Sequence, residues 1–133
     1  MKKKTKLSTD QNKADVAMSL YIRQKYAVDG YVTCVSCGIS IPWKDADCGH
    51  FIPKSRGASV RYIEENAHPE CHGCNRFNEG HLIGYTQYMI NMYGSEMIEH
   101  LKAESRKTLS PTEKRKIALE ALEYYKQKLL ELG

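Results

Sequence analysis

Two Cys-x-x-Cys pairs, Cys34/Cys37 and Cys71/Cys74, constrain this chain more than any other feature. Two intervening residues let one tight turn aim both thiolates at a single ion. A pair of such turns completes the tetrahedron of soft ligands that Zn²⁺ takes. Gly38, directly after the first pair, relieves the turn where backbone amides point toward sulfur. The competing reading, a thioredoxin-like redox pair, needs a βαβ context that the surrounding residues do not supply. A chain of 133 residues buries only a small core, so a metal staple would matter to its stability. Cys48 is left without a paired cysteine, and His72, between two ligands, is read as a solvent-facing turn residue.

The order of segments suits that staple. Val16, Ala17, Leu20, Tyr21 and Ala27 fall at near-3.6 spacing and predict an amphipathic helix, with Ser8, Thr9 or Asp10 as caps and Gly30 as the stop. Residues 31–65 change character: "YVTCVSCGIS" is β-rich, "IPWKDADCGHFIP" is an irregular link into a short strand, and "KSRGAS" is a polar loop. From Cys74 onward the pattern is helical, interrupted at Gly80 and Gly94. Ser110-Pro111-Thr112-Glu113 then opens a last helix with a capping box and proline at its first position. Its stripe of Ala118, Leu122, Tyr125 and Leu129 serves packing on the domain or, alternatively, a homodimer contact. The expected organisation is a basic tail at 1–7, a zinc-stabilised domain at 8–108 and a C-terminal amphipathic helix at 109–133. Knuckle, strand, loop, knuckle and helix in that order make a treble-clef layout within an α+β fold.

Composition narrows the function classes only a little. Charged residues make up 27% of the chain, mean hydropathy is −0.57, and no apolar run approaches the roughly 20 residues that span a bilayer. The basic start "MKKKTKLSTDQNK" lacks the apolar core of a secretory signal. A cytoplasmic protein without a membrane partner is therefore expected, and five cysteines there argue against a disulfide framework. The net charge of +4 permits a nucleic-acid partner without demanding one.

A second constellation overlaps the first. His50 in "CGHF", Asn66 in "EENAH" and Asn75 directly after Cys74 would be brought together by the zinc knuckles. A histidine can take a proton from water near neutral pH, and an amide oxygen can join Mg²⁺, whose other positions go to water and phosphate oxygens. The expected chemistry is metal-assisted phosphodiester hydrolysis, with Asn66 orienting the imidazole through a hydrogen bond. Cys48 lies two residues from His50, but no third orienting group accompanies a Cys-His nucleophile, and packing is the expected role.

Histidine followed by Asn-x-x-x-x-Cys-x-x-Cys-Asn resembles the HNH, or ββα-metal, endonucleases with a four-cysteine zinc site. More narrowly, "CVSCG … CGHF … VRYIEENAHPECHGCNRFNEGHLIGY" is similar to the NinG/Rap family of phage recombination endonucleases. The resemblance covers residues 12 to 103. It implies His50 as general base, Asn75 as ligand of a catalytic Mg²⁺ or Mn²⁺, Asn66 as the orienting partner, and Cys34, Cys37, Cys71 and Cys74 as zinc ligands. It also implies phage- or prophage-encoded action on branched or four-way DNA inside a bacterial host. His68 occupies the family's second histidine position, with support of the site, phosphate contact and metal binding all open to it.

One departure stands out. Many HNH enzymes place an aspartate before the general base, where this chain has Gly49. Asp47, on the same strand face by period two, and Glu79, on the Asn75 helical face, are candidates to complete the metal shell. Lys54, Arg56 and Arg61 flank the site as candidate phosphate contacts, and a second basic group runs from Lys102 to Lys116. The alternatives to a nuclease are a non-catalytic zinc-stabilised DNA-binding protein and a protein-protein adaptor.

Overall fold

The first helix, α1 (Lys6–Lys25), begins earlier than its apolar spacing suggests. Thr5 is the N-cap: its hydroxyl accepts from the Ser8 amide, and the Ser8 side chain accepts from the Thr5 amide. Ser8 is thus the third helical residue and closes the capping box from inside. The computed structural model describes residues 5–77 and 82–133. The expected Gly30 stop marks a turn beyond the helix, where Asp29 and Gly30 both take positive φ.

Ala14, Ala17, Met18, Tyr21 and Ile22 form the buried face of α1, and Ala118, Ala121 and Tyr125 of α5 (Pro111–Leu132) pack against them. Alanines on both faces let the helices approach closely. Arg115 pairs with Asp10 at 2.7 Å and Tyr125 meets Tyr21 at 5.8 Å, so the two helices run in the same direction. The capping box on Ser110 and Glu113 is present as the sequence predicts. The C-terminal helix packs on the first helix, as its apolar stripe suggests.

Between these helices in sequence lie two small antiparallel hairpins. The first, β1 (Tyr31–Thr33) with β2 (Ser40–Pro42), frames the turn holding Cys34 and Cys37. Gly38 closes that turn at φ 81°, and its amide donates to the Cys34 carbonyl at 2.9 Å. The second hairpin pairs β3 (Asp47–His50) with β4 (Ala67–Glu70), setting Asp47 opposite Glu70 and Gly49 opposite His68. Alternation sends the Cys48 and Ala67 side chains to the α1/α5 core and Gly49 and His68 to the other face. Cys71 follows β4 at once, and Cys74 sits on α2 (His72–Phe77).

Helices α3 (Leu82–Tyr93) and α4 (Ser95–Ser105) cover that other face. Tyr85, Met89, Ile98 and Leu101 join Phe51 and Val60 in a second apolar cluster. The approach of α3 to the first knuckle depends on Gly84, where a β-carbon would lie 2.0 Å from the Ser36 carbonyl oxygen. No helix among the described residues is long and apolar enough to cross a membrane.

Candidate functional site

The first hairpin, the end of β4 and the start of α2 bring four cysteines to one point. The sulfurs of Cys34, Cys37, Cys71 and Cys74 all lie within 4.8 Å of one another, with Cys37 Sγ and Cys71 Sγ 3.8 Å apart. Four thiolates about 2.3 Å from a central ion stand close to 3.8 Å from each other, so the residues present fit a structural metal such as zinc. Two further ties set the knuckles in place: the Val35 amide donates to the Pro69 carbonyl at 3.1 Å, and the Ser36 hydroxyl donates to Glu70 at 2.5 Å.

A cleft of about 530 Å³ opens beside the cysteines, lined by His50 and Asp47 of β3, Asn75 and Arg76 of α2, and Asp15 and Arg23 of α1. His50 Nε2 lies 2.8 Å from the Arg61 carbonyl. A carbonyl can only accept, so Nε2 carries the proton and Nδ1 holds the lone pair. Burial, reinforced by the charges of Lys54 and Arg61, lowers the His50 pKa to about 4, so the imidazole is neutral and able to accept a proton at pH 7.

Asp47 and Asn75 meet across this cleft, with Asn75 Nδ2 donating to Asp47 Oδ2 at 2.9 Å. Arg76 donates to both carboxylate oxygens at 3.0 and 3.1 Å, and His72 Nδ1 lies 2.7 Å from Oδ1. Burial raises the Asp47 pKa, but the hydrogen bonds from Asn75 and Arg76 outweigh it and keep the carboxylate below its ordinary range. The strand thus delivers Asp47 to the first turn of the helix that also carries Cys74.

Three expectations need correction. Asn66 does not touch the His50 ring: its Nδ2 donates to the Ile52 and Val60 carbonyls at 3.1 and 3.2 Å, and its Oδ1 accepts from the Ile52 amide at 2.9 Å. It is a fully buried pin of the 51–66 loop, and the imidazole is oriented by the Arg61 carbonyl instead. Arg61 is no free phosphate contact, because its guanidinium grips both oxygens of Asp15 at 3.0 and 2.5 Å. His68, fully buried, cannot reach DNA from its place among Tyr26, Tyr85, Tyr88 and Tyr93. Lys54 lines the cleft with its side chain 46% exposed, and Arg56 is exposed on the loop beyond it. Glu79 lies outside the described residues. Sequence reasoning missed Asp15, His72 and Arg76, whose partners lie 46, 25 and 29 positions away.

Hydrogen-bond directions in the tyrosine cage are fixed by one carbonyl. Tyr85 donates its hydroxyl proton to the Gly49 carbonyl at 2.7 Å, so its oxygen accepts from His68 Nδ1 at 2.9 Å. His68 Nε2 is then the acceptor for the Tyr93 hydroxyl at 2.8 Å. Burial first, then the Lys25 and His50 charges, lowers the His68 pKa to about 3. The folded value lies below that of an unfolded histidine, about 6.5, so this stabilisation is complete above that pH and is lost as pH falls toward 3. His68 alone should make the chain about 2 kcal/mol less stable in denaturation at pH 5 than at pH 7, so His68→Gln should shrink the pH dependence by that amount and leave the share of His50, whose pKa is also lowered.

The glycine before His50 also has a structural account. A β-carbon on Gly49 would lie 1.9 Å from Glu70 Oε1, and Glu70 is buried and held by Ser36. The space an aspartate would need is taken. Gly49→Asp is therefore expected to cost about 1–3 kcal/mol in chemical denaturation and to bring no gain in divalent-metal affinity.

With the geometry in view, comparison with known proteins gives the family. The family model described as "Bacteriophage Lambda NinG protein" matches residues 1–132. This chain belongs to the NinG family. It is 30% identical over 121 residues to "Protein ninG" of Salmonella phage P22 and likewise to that of Escherichia phage lambda, covering 90% of this chain and 55% of each relative. "Protein ninG" of Escherichia phage 933W matches at 30% over 92 residues, 68% of this chain and 43% of that one. The chain spans about half the length of the curated relatives it matches. No solved structure matches.

Proposed function

We propose that this NinG-family chain is a divalent-metal-dependent DNA endonuclease of the HNH kind, selective for branched recombination intermediates, built on a structural zinc. The observation that carries this reading is one cleft lined by His50, whose Nε2 bonds the Arg61 carbonyl, and by the Asp47–Asn75 pair. The β3–β4 hairpin followed by α2 has the order of a ββα-metal motif, and the four-cysteine centre fixes it from behind.

Asp47 and Asn75 would hold the catalytic Mg²⁺ or Mn²⁺, the ion replacing Arg76 and His72 as partner of the Asp47 carboxylate. A carboxylate and an amide oxygen fit a hard cation that keeps most of its shell for water and phosphate. When bound, the ion supplies positive charge to the phosphate and the departing oxygen. His50 Nδ1 takes one proton from a water molecule, whose oxygen forms the new bond to phosphorus. The P–O bond to the departing sugar oxygen breaks, and that oxygen leaves with the electron pair and takes a proton from solvent. Arg23, Lys44, Lys54 and Arg76 outnumber Asp15 and Asp47 along the cleft, a balance suited to a phosphate backbone.

The test is to measure Mn²⁺ binding by electron paramagnetic resonance on the zinc-loaded chain, alongside cleavage of labelled duplex, forked and four-way DNA. Asp47→Ala and Asn75→Ala should each weaken Mn²⁺ binding and cleavage about tenfold or more, with zinc retained. Intact DNA binding without cleavage of any substrate would instead favour a non-catalytic zinc-stabilised DNA-binding protein.

A further inference from the structure

The loop between β3 and β4 is held from several sides. Ser59 donates to the Glu104 carbonyl of α4 at 2.5 Å, Tyr125 of α5 donates to the Tyr62 carbonyl at 2.6 Å, and Asn66 bonds the loop to itself. Tyr62 also reaches the Gln11 carbonyl of α1 at 3.3 Å. These contacts suffice to place the loop, yet a further tie joins it to α1. Arg61 and Asp15 form a two-pronged ion pair with only 16% and 17% of their side chains exposed. Such a pair gives up hydration on both partners and adds little net stability. Its geometric consequence is larger, because the same Arg61 residue presents the carbonyl that accepts from His50 Nε2.

We infer that Asp15 is a positioning residue for His50: by pinning the Arg61 side chain it fixes the Arg61 carbonyl, which keeps the imidazole proton on Nε2 and aims Nδ1 into the cleft. This rests on His50 being the general base. A bidentate guanidinium–carboxylate pair restricts rotation at Arg61 in a way a single contact does not. The peptide that follows is already held at Tyr62, so the Arg61 carbonyl is fixed from both sides. Asp15 also lines the cleft as a carboxylate beside Lys54, 3.5 Å away, and Arg61. It offsets those two cations when His50 takes up a proton, the part a buried aspartate plays behind a catalytic histidine. Asp15 touches neither water nor phosphate in this scheme and acts only through Arg61 and through its charge.

The experiment uses the zinc-loaded full chain with ¹⁵N-labelled histidine. Imidazole nitrogen shifts report the His50 tautomer at pH 7.5, and single-turnover cleavage with Mg²⁺ reports rate. Wild type should hold His50 in the Nε2–H form alone. Asp15→Asn should give a tautomer mixture and, with the DNA saturated by protein, a loss of about tenfold in the single-turnover rate, short of the hundredfold that full misplacement costs. Arg61→Met should match it, Arg61→Lys should recover part of the loss, and Asp15→Asn/Arg61→Met should be no worse than either single variant. A single unchanged tautomer with the rate within about twofold in Asp15→Asn would overturn the inference, as would additive losses in the double variant. If the wild type cuts no DNA, the nuclease reading fails, while the tautomer shifts still decide whether Asp15 positions His50.

Discussion

Cys71→Ser is expected to leave the chain largely unfolded at 25 °C and to strip it of bound zinc. Structural Zn²⁺ contributes on the order of 10 kcal/mol of apparent binding free energy at neutral pH, as much as the whole stability of a small domain. Here the loss would spread beyond the four sulfurs. Cys71 joins β4 to α2, and the Ser36–Glu70 and Val35–Pro69 bonds tie the same region to the first knuckle. Helix α3 rests on that knuckle at Gly84, so its docking depends on the knuckle's shape. The α1/α5 pair has its own apolar interface and should keep part of its helicity. Elemental analysis should give one zinc per wild-type chain and none in Cys71→Ser. Circular dichroism should show the cooperative transition gone, and a strong chelator applied to wild type should reproduce that state.

His50→Ala is the second large effect, and it should fall on the chemical step. Removing a positioned general base costs about 10²–10⁴ in rate. Because the His50 ring is half-buried and its hydrogen bond among the described residues goes to the Arg61 carbonyl, the truncation should leave zinc content and DNA affinity unchanged. Single-turnover cleavage measures the loss, and added imidazole should restore part of the rate by entering the space left in the cleft. The pH profile carries a sign as well. With its pKa near 4, His50 is already neutral from pH 8 down to about 5, so wild-type cleavage should not fall with the titration of an ordinary histidine near 6.5.

The zinc pairs, the short strands around the first knuckle and the Ser110 cap are legible in the sequence because each is a local pattern of spacing or turn chemistry, whereas β4 and its pairing with β3 across the 51–66 loop are not. The start of α1 is not legible in the sequence, because its threonine–serine capping box carries no charged residue and the apolar spacing begins further along. The candidate site was legible in part. His50, Asn75 and Asp47 do line one cleft, which the order of knuckle, strand and helix implied. The orienting role of Asn66 and the phosphate contact of His68 fail for a shared reason: the partners that define these residues are backbone groups of a folded loop and tyrosines 17 and 25 positions away. No local pattern encodes such contacts. Gly49 is a related case, since only the fold shows that Glu70 from the neighbouring strand fills the space beside it. The Asp15–Arg61 pair, 46 positions apart, joins a helix to a loop whose proximity no periodicity predicts.

The central claim is that a cleft anchored by the four cysteines performs metal-dependent cleavage of DNA. Its most direct test is single-turnover incubation of the zinc-loaded chain with a labelled four-way junction, in Mg²⁺ and in EDTA at a concentration that leaves the zinc in place. The account predicts cutting with Mg²⁺, none with EDTA, and recovery when Mg²⁺ is restored. A chain that binds the junction with its zinc intact and never cuts it, in Mg²⁺ or Mn²⁺, would contradict it.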